Sequence, residues 1–452
     1  MTDLDSGLKR TGAIAPANNS APPGLPASAT SAPVTWIGLA GFAVSLFVVG
    51  YLKLAPVATI LVVLAATALP MLAIDILVFK IHRRPSTGLD WSRPPDFSLH
   101  RSLVKLLGLA ATLAVLGLGY WLFPEYRGRQ YTIVFDFFKV TGPYLVAATV
   151  IYVVAVDAYM AEPRDGYWQA GCIVLGRLRA VDKTDFGQYC RGWLMKGFFI
   201  PFIISVFMSN IDSVFASTLL KGEWGFGSFY DFVYPLSFAV DTAFGAAGYL
   251  LTLRLSDTHL RSTEPSVLGW VAALICYPPF WPLLHDLYLP YDAHAVYWGG
   301  WFEVVPPLYW LWGAVIIVLL CVFAWASMAF GCRFSNLTHR GILTSGPYRW
   351  SKHPAYVTKV LSYWMIALPF ISSTGLADAI RGCLMLALVG GIYYVRARTE
   401  ERHLSRDPTY VAYALWMNEH GLLRWFGQLA PFFRYRPPEL ELENHRGTET
   451  QR

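Results

Sequence analysis

Charge is scarce in this 452-residue chain: Asp, Glu, Lys and Arg together make up 15% of it, and 55% is hydrophobic. An ordinary soluble domain is about 25% charged, so a disordered chain and a soluble nucleic-acid binder are both excluded. Cysteine is sparse too, with six residues and no CxxC pair. That excludes a disulfide scaffold and leaves the thiols as small apolar side chains. HExxH and Cys/His clusters are missing, so no metal centre is expected. GxGxxG is missing as well, which removes the soluble nucleotide-binding folds. No signal peptide is visible: the first long apolar run begins beyond residue 33 without a small-residue cleavage site.

What the chain has in abundance is long apolar runs. A bilayer core of about 30 Å takes about 20 mostly apolar residues per helix, and ten segments approach that: 34–52, 54–79, 103–123, 140–160, 193–217, 232–255, 267–284, 304–330, 354–372 and 378–396. Barrel strands would alternate in polarity over short runs, and LVVLAATALPMLAIDILVF does not. The expected class is an all-α integral membrane protein with about ten transmembrane helices. The seventh segment is the least regular, because Pro278, Pro279 and Pro282 interrupt it. With the N-terminus inside and ten alternating spans, 30 of the 36 Lys and Arg residues fall on the cytoplasmic side, as the positive-inside rule requires. Both termini are then cytoplasmic. Residues 1–33, rich in Ala, Pro, Ser and Gly, read as a disordered cytoplasmic tail. Residues 34–303 read as an N-terminal transmembrane region with no assigned role, and 437–452 as a polar tail.

Polar residues concentrate at the inner ends of the spans. Segments 331–353 and 396–420 flank the helical hairpin of the ninth and tenth spans, so the hairpin brings them to the same membrane surface. They carry Arg333, Asn336, His339, Arg340, Tyr348, Arg349, Lys352, His353, Tyr356, Arg396, Arg398, Glu400, Glu401, Arg402 and His403. A small zwitterionic ligand entering from the cytosol suits such a pocket. His339 and His403 read as interfacial polar residues. Taken alone, RARTEERHL is a solvated helix end, and His353 before Pro354 a helix start. Acids within spans are costly and usually functional. Of Asp75, Asp157, Asp212 and Asp241, the mid-span Asp241 is the candidate for lining a substrate cavity.

The string GILTSGPYRWSKHPAYVTKVLSYWM, followed after a hydrophobic hairpin by YYVRARTEERHLSRDPTYVAYA, resembles the isoprenylcysteine carboxyl methyltransferase family. The matching positions are Thr344, Ser345, Gly346, Tyr348, Trp350, Lys352, His353, Pro354, Tyr356 and Val357, then Arg396, Arg398, Thr399, Glu400, Glu401, Leu404, Tyr410 and Tyr413. Gly331, Phe334 and Asn336 look like the approach to the same site. The likeness covers about residues 328–415, and extends to phospholipid N-methyltransferases and more distantly to membrane sterol reductases. Two positions depart from the pattern: Lys352 stands where the family prefers Arg, and Thr358 where a Gly is usual.

The resemblance implies that 304–436 is a methyltransferase region whose C-terminal hairpin forms the pocket for S-adenosylmethionine. Glu401 and Glu400 would then hold the donor's ammonium or ribose hydroxyls. Lys352, His353 and the Gly346 turn would take its carboxylate, and Tyr348 and Tyr356 would wall the adenine or face the sulfonium. Arg398, ahead of Arg396, would orient the carboxylate of the acceptor. The expected acceptor is a lipidic or lipidated small molecule, carboxyl O-methylation being favoured over amine N-methylation. The composition suggests a bacterial inner-membrane protein with its active site facing the cytoplasm and membrane lipids, not nucleic acid, as neighbours. Two other readings remain open: a membrane reductase of the sterol-reductase type, and a non-enzymatic lipid transporter or scaffold with a degenerate hairpin.

Overall fold

The computed structural model describes residues 22–437. Helices follow one another as α1 (Ala32–Leu52), α2 (Pro56–Ala73), α3 (Leu99–Leu122), α4 (Thr132–Asp157), α5 (Gly166–Val174), α6 (Lys183–Ala216), α7 (Phe226–Leu250) and α8 (Val267–Leu274). After them come α9 (Phe280–Leu287), α10 (Trp298–Phe302), α11 (Pro306–Met328), α12 (Pro354–Ala367), α13 (Leu376–Leu404), α14 (Pro408–His420) and α15 (Arg424–Leu429). Two two-residue strands, β1 (Ser262–Thr263) and β2 (Thr338–His339), pair antiparallel with Ser262 opposite His339. Among the described residues seven helices are long and apolar enough to cross a membrane: α1, α2 with its π-helical extension to Val78, α3, α4 with the turn before it, α6, α11 and α13. The chain is an all-α, multi-pass membrane protein.

Three of the expected spans take a different form. Segment 267–284 is two eight-residue helices, α8 and α9, broken between Leu274 and Phe280. The break coincides with Pro278 and Pro279, which supply no N–H to continue the ladder. Segment 354–372 is cut short: α12 has 14 residues, because Leu368 takes a left-handed conformation (φ 45°) and Pro369 follows. At 1.5 Å per residue α12 is about 21 Å long, less than the ~30 Å hydrocarbon core. The last segment runs the other way. Helix α13 continues unbroken past residue 396 to Leu404, so the RARTEERHL string is helical and its side chains are spaced at helical intervals.

Residues 22–31, inside the stretch whose composition reads as a tail, lie along the C-terminal region. Ala29 N donates to Ile342 O at 2.8 Å, Thr344 Oγ1 to Pro26 O at 2.7 Å, and Thr30 Oγ1 to Ala329 O at 2.7 Å. The remainder of that tail, residues 1–21, and the tail from 438 onward lie outside the described residues.

Small residues set the closest helix crossings. Helix α5 lies against α3 where Gly108 and Gly171 meet: a Cβ on Gly171 would come within 2.0 Å of Val104 O, and one on Gly108 within 2.5 Å of Gly171 N. The main core lies between α1, α2, α6, α7 and α11, around the fully buried Phe42, Phe199, Phe207 and Phe244.

Buried arginines tie the connections to that core. Arg340, 3% exposed, donates to the carbonyls of Thr258 (2.6 Å), Gly248 (2.9 Å), Phe334 (2.9 Å) and Cys332 (3.0 Å). It thereby satisfies the C-terminal carbonyls of α7 and the turn after α11 at once. Arg333 pairs with the buried Asp257 at 3.2 Å, and Asp257 also receives Ser86 Oγ at 2.9 Å and Arg261 at 3.3 Å. Burial opposes the charge on Asp257, but Arg333 and Arg261 outweigh it and hold its carboxyl below the usual value.

Two outcomes follow for stability. Gly171→Val drives a side chain into the α3 backbone and should abolish monodisperse protein on size exclusion, while Gly117→Ala, with open space around it, should leave the yield unchanged. Asp257→Asn strands Arg333 and should cost about 3–5 kcal/mol at pH 7. Because the Asp257 carboxyl is depressed on folding, its contribution is complete above the unfolded pKa of ~3.9 and falls away as pH drops through the lower folded value. The gap in unfolding temperature between wild type and Asp257→Asn should therefore be constant from pH 8 to 5 and close below pH 4.

Candidate functional site

The loop after α11 and the inner half of α13 meet in a cleft. Residue 346 begins the local geometry. Gly346 sits at φ +60° and opens a short 3-10 turn through Arg349, and a Cβ there would meet Trp325 Nε1 at 3.2 Å. The turn faces Tyr348 inward, where Tyr413 Oη donates to its carbonyl at 2.7 Å and Phe330 meets its ring edge-on at 5.4 Å. Burial raises the Tyr348 phenol well above its ordinary pKa, so it stays a neutral donor. Pro354 then starts α12, carrying Lys352 and His353 just before the helix and Tyr356 and Lys359 along its first turns.

Opposite, α13 offers Tyr393, Arg396, Thr399, Glu400 and His403, and α7 offers Asp241. The cleft between them has a volume of about 120 Å³ and is closed by Phe323 and Ser327 of α11, Tyr277, Asn336 and Glu264. A second recess of about 50 Å³ adjoins it and shares Tyr348, Lys352, His353 and Glu400 as a common wall. It reaches towards Arg340, Tyr410 and Tyr413. The charged side chains lining the main cleft balance: Asp241, Glu264 and Glu400 against Lys352, Lys359 and Arg396.

Two interactions fix this geometry. Glu401, 4% exposed, gathers Lys352 Nζ at 2.7 Å and His353 Nε2 at 3.1 Å on Oε1, and Arg398 Nη1 at 2.6 Å on Oε2. Burial lowers the Lys352 ammonium's pKa, with Glu401 opposing that shift. Arg396, 6% exposed, lies between two rings, its guanidinium carbon 4.9 Å from the centroid of Tyr356 and 5.3 Å from that of Tyr277. It donates to Asn336 Oδ1 and, at 3.1 Å, to Tyr277 Oη. Asn336 in turn donates from Nδ2 to Tyr249 at 3.0 Å and Tyr277 at 3.2 Å.

The residues singled out from sequence separate into two groups. Tyr348, Lys352, His353, Tyr356, Arg396, Glu400 and Asp241 line the cleft. Gly346, Arg398 and Glu401 do not; Gly346 packs on Trp325, and Arg398 and Glu401 pair with each other beside the cleft. Of the two arginines, then, Arg396 faces the cavity. Glu400 is the acid turned inward: it accepts from Tyr356 Oη on Oε2 at 2.7 Å, and its other oxygen has no hydrogen-bond partner among the described residues. His403 lines the cleft and contacts Ser262 Oγ at 2.9 Å, while His339 faces Asp407 at 3.2 Å.

Thr358, in place of a glycine, spends its hydroxyl on Pro354 O at 2.9 Å within α12 and stays out of the cleft. Arg333 and Arg340 serve the fold, as described above. Glu264, Tyr277, Lys359 and Tyr393 were not singled out by sequence. The only signal for Lys359 was its charge, three residues beyond Tyr356 in the first block; Tyr277 and Glu264 lie more than 50 residues earlier in the chain.

Neither a curated protein nor a solved structure matches the chain. A family model does: residues 310–406 match the isoprenylcysteine carboxyl methyltransferase (ICMT) family. The matched stretch runs from α11 to just beyond α13 and contains every cleft residue named above except Asp241, Glu264 and Tyr277. The protein, in which seven helices among the described residues are long and apolar enough to cross a membrane, thus carries at residues 310–406 a stretch that matches the ICMT family model.

Proposed function

We propose that this protein transfers a methyl group from S-adenosylmethionine to a lipidic acceptor, the cleft between α12 and α13 being the donor site. The observation that carries this reading is the arrangement inside the matched domain. An inward carboxylate with one oxygen to spare (Glu400), cations on the wall shared by both recesses (Lys352, with His353), and three tyrosine rings (Tyr348, Tyr356, Tyr393) line one charge-balanced cleft. That set fits the donor's chemistry. A carboxylate suits an ammonium, cationic or imidazole N–H groups suit a carboxylate, and aromatic faces favour a sulfonium. Bound there, S-adenosylmethionine would supply an electrophilic methyl group on a cationic sulfur.

The chain's own residues do the rest. Glu400 holds an ammonium with the oxygen that Tyr356 leaves open. Lys352 and His353, positioned by Glu401, present an ammonium and an imidazole on the facing side. Glu401 is saturated by Lys352, His353 and Arg398 of its own chain, so its task is to place Lys352 and His353 and not to hold ligand directly. Arg396, stacked between two rings and hydrogen-bonded through Nη2 to Asn336 and Tyr277, keeps a fixed positive charge in the cleft wall. An acceptor carboxylate oriented by it needs no general base, only alignment and the removal of its water. This is why carboxyl O-methylation is favoured over N-methylation, which would need a base. The cleft's 120 Å³ is below the ~300–1,000 Å³ of drug-sized sites, so donor binding would draw on the adjoining recess as well. We place the cleft on the cytoplasmic side of a bacterial inner membrane, within a ten-span topology.

Calorimetric titration of S-adenosylmethionine into detergent-purified protein checks this reading. Micromolar binding is expected; Glu400→Gln should weaken it at least tenfold while leaving the unfolding temperature within about 2 °C. Glu401→Gln should weaken binding and lower the unfolding temperature together, because it releases Lys352, His353 and Arg398. No heat of binding from well-folded wild type overturns the reading, and saturable binding of a nicotinamide cofactor instead would favour a reductase. In a labelled-methyl assay on lipid extracts, Arg396→Gln should leave donor affinity unchanged and reduce methyl transfer at least a hundredfold. Full transfer by that variant would remove Arg396 from the acceptor role.

A further inference from the structure

The N-terminal helices enclose a second and larger chamber, of about 710 Å³, between α3, α4, α5, α6 and the loop from Thr252 to Thr263. Its size falls within the ~300–1,000 Å³ of small-molecule sites. Tyr152, Tyr167, Tyr189 and Trp193 give it aromatic walls. Several of its charges are paired within the protein. Lys105 sits 2.8 Å from Asp157 and 3.3 Å from Asp165, Arg101 holds Asp157 at 2.6 Å, and Arg261 pairs with Asp257.

Glu162, Arg164 and Asp185 line the chamber without an ion pair but are exposed, and the half-buried Arg254 donates to Thr87 O at 3.0 Å. Among the described residues that line it, Lys196 is the buried charge left without a partner of opposite sign. It lines the chamber, is 8% exposed, and has no carboxylate within 4.0 Å among the described residues. Its ammonium lies 4.7 Å from the centroid of the Trp193 ring. The nearest acid on its own helix that lines the chamber is Asp185, eleven residues or about 16 Å along the axis. A buried ammonium without a counter-ion is costly; a bound anion would remove that cost.

The route into the chamber narrows the class of anion. Helix α4, which contributes Thr149, Tyr152, Val153 and Val156 to the wall, is the least buried of the seven long apolar helices, at 17% of its apolar window. Its outer face therefore meets lipid, and the chamber is one loosely packed helix away from the bilayer. We propose that this chamber binds an anionic amphiphile, a single acyl chain with a carboxylate or phosphate head, whose head group pairs with Lys196 over Trp193 while its chain lies against α4. The site is separate from the methyl-donor cleft. Strand β1 divides them, with Ser262 lining the chamber and contacting His403 on the cleft side, so the proposal stands whether or not the cleft binds S-adenosylmethionine.

The test titrates oleate, oleyl alcohol and sodium phosphate into the full-length protein in a neutral detergent, with native mass spectrometry and the unfolding temperature as readouts. Oleate is expected to bind saturably and stabilise the wild type, Lys196→Met to weaken it at least tenfold, and Lys196→Arg to keep it within about threefold. Equal binding of oleyl alcohol, or undiminished oleate binding by Lys196→Met, overturns the proposal. Phosphate producing the same Lys196-dependent shift would make the ligand a free anion and overturn the amphiphile. Should Lys196→Met not fold, amine labelling of the wild type decides: oleate should shield Lys196 and leave the exposed Lys183 reactive, and equal labelling with and without oleate counts against the site.

Discussion

One carboxylate organises the C-terminal region. Glu401 sits on the C-terminal part of α13, and the three side chains it holds come from two places: Arg398 from the same helix, Lys352 and His353 from the chain just before α12. Burying a carboxylate is unfavourable unless its oxygens are fully engaged, and here each oxygen is. The consequence is positional. The loop bearing Tyr348, Lys352 and His353 cannot shift relative to α13 without stranding a buried charge. The Glu400–Tyr356 hydrogen bond one residue away joins the same two segments again, α12 to α13. Adjacent residues on a helix point about 100° apart. That is how consecutive glutamates come to serve two ends, Glu401 the framework and Glu400 the cavity.

A second constraint acts from the N-terminal side. Loops at a membrane surface expose carbonyls that helix ends leave unpaired, and this protein settles several of them with two arginines. Arg340 and Arg333 reach the end of α7, the turn after α11 and the 251–258 loop, and residues 22–31 pair with the 340–345 segment from the other face. The stretch that matches the ICMT model is therefore not a module appended to unrelated helices. Its leading loop is held by the helices before it, and Asp241, Glu264, Gly269, Ala273 and Tyr277 of the cleft come from outside the matched stretch.

Sequence exposed the parts of this arrangement that depend on local composition. Long apolar runs fixed α1, α2, α3, α4, α6, α11 and α13, and the order of two polar blocks around one hairpin brought Tyr356 and Glu400 to the same place. Where a backbone detail decides, the reading from hydropathy diverged. A window over 267–284 does not register that consecutive prolines split it, nor does one over 354–372 register that Leu368 turns left-handed. Residues 22–31 have the composition of a linker, yet their backbone groups pair with a loop some 310 residues away. The choice between Arg396 and Arg398 could not be made from spacing, since both lie within one turn of Glu400. The difference in their placement comes from Tyr277 and Asn336, which from other elements hold Arg396 in the cleft wall.

The distribution of buried charge separates the two halves of the molecule. In the cleft, acids and bases are matched in number but not all paired: Glu400 keeps an open oxygen, and Lys359 and Asp241 line the same wall without touching closely enough to form an ion pair. A neutral but unpaired lining favours a ligand that itself carries both signs, because each ligand charge finds a partner and no net charge is added. In the larger chamber the buried charges are paired except Lys196, which, under the proposal above, favours a ligand carrying a negative charge. Desolvation makes both preferences strong, since an interaction that is weak in water grows as the local dielectric falls. The two sites thus select opposite kinds of ligand by the same rule, and β1, two residues wide, is enough to keep them apart.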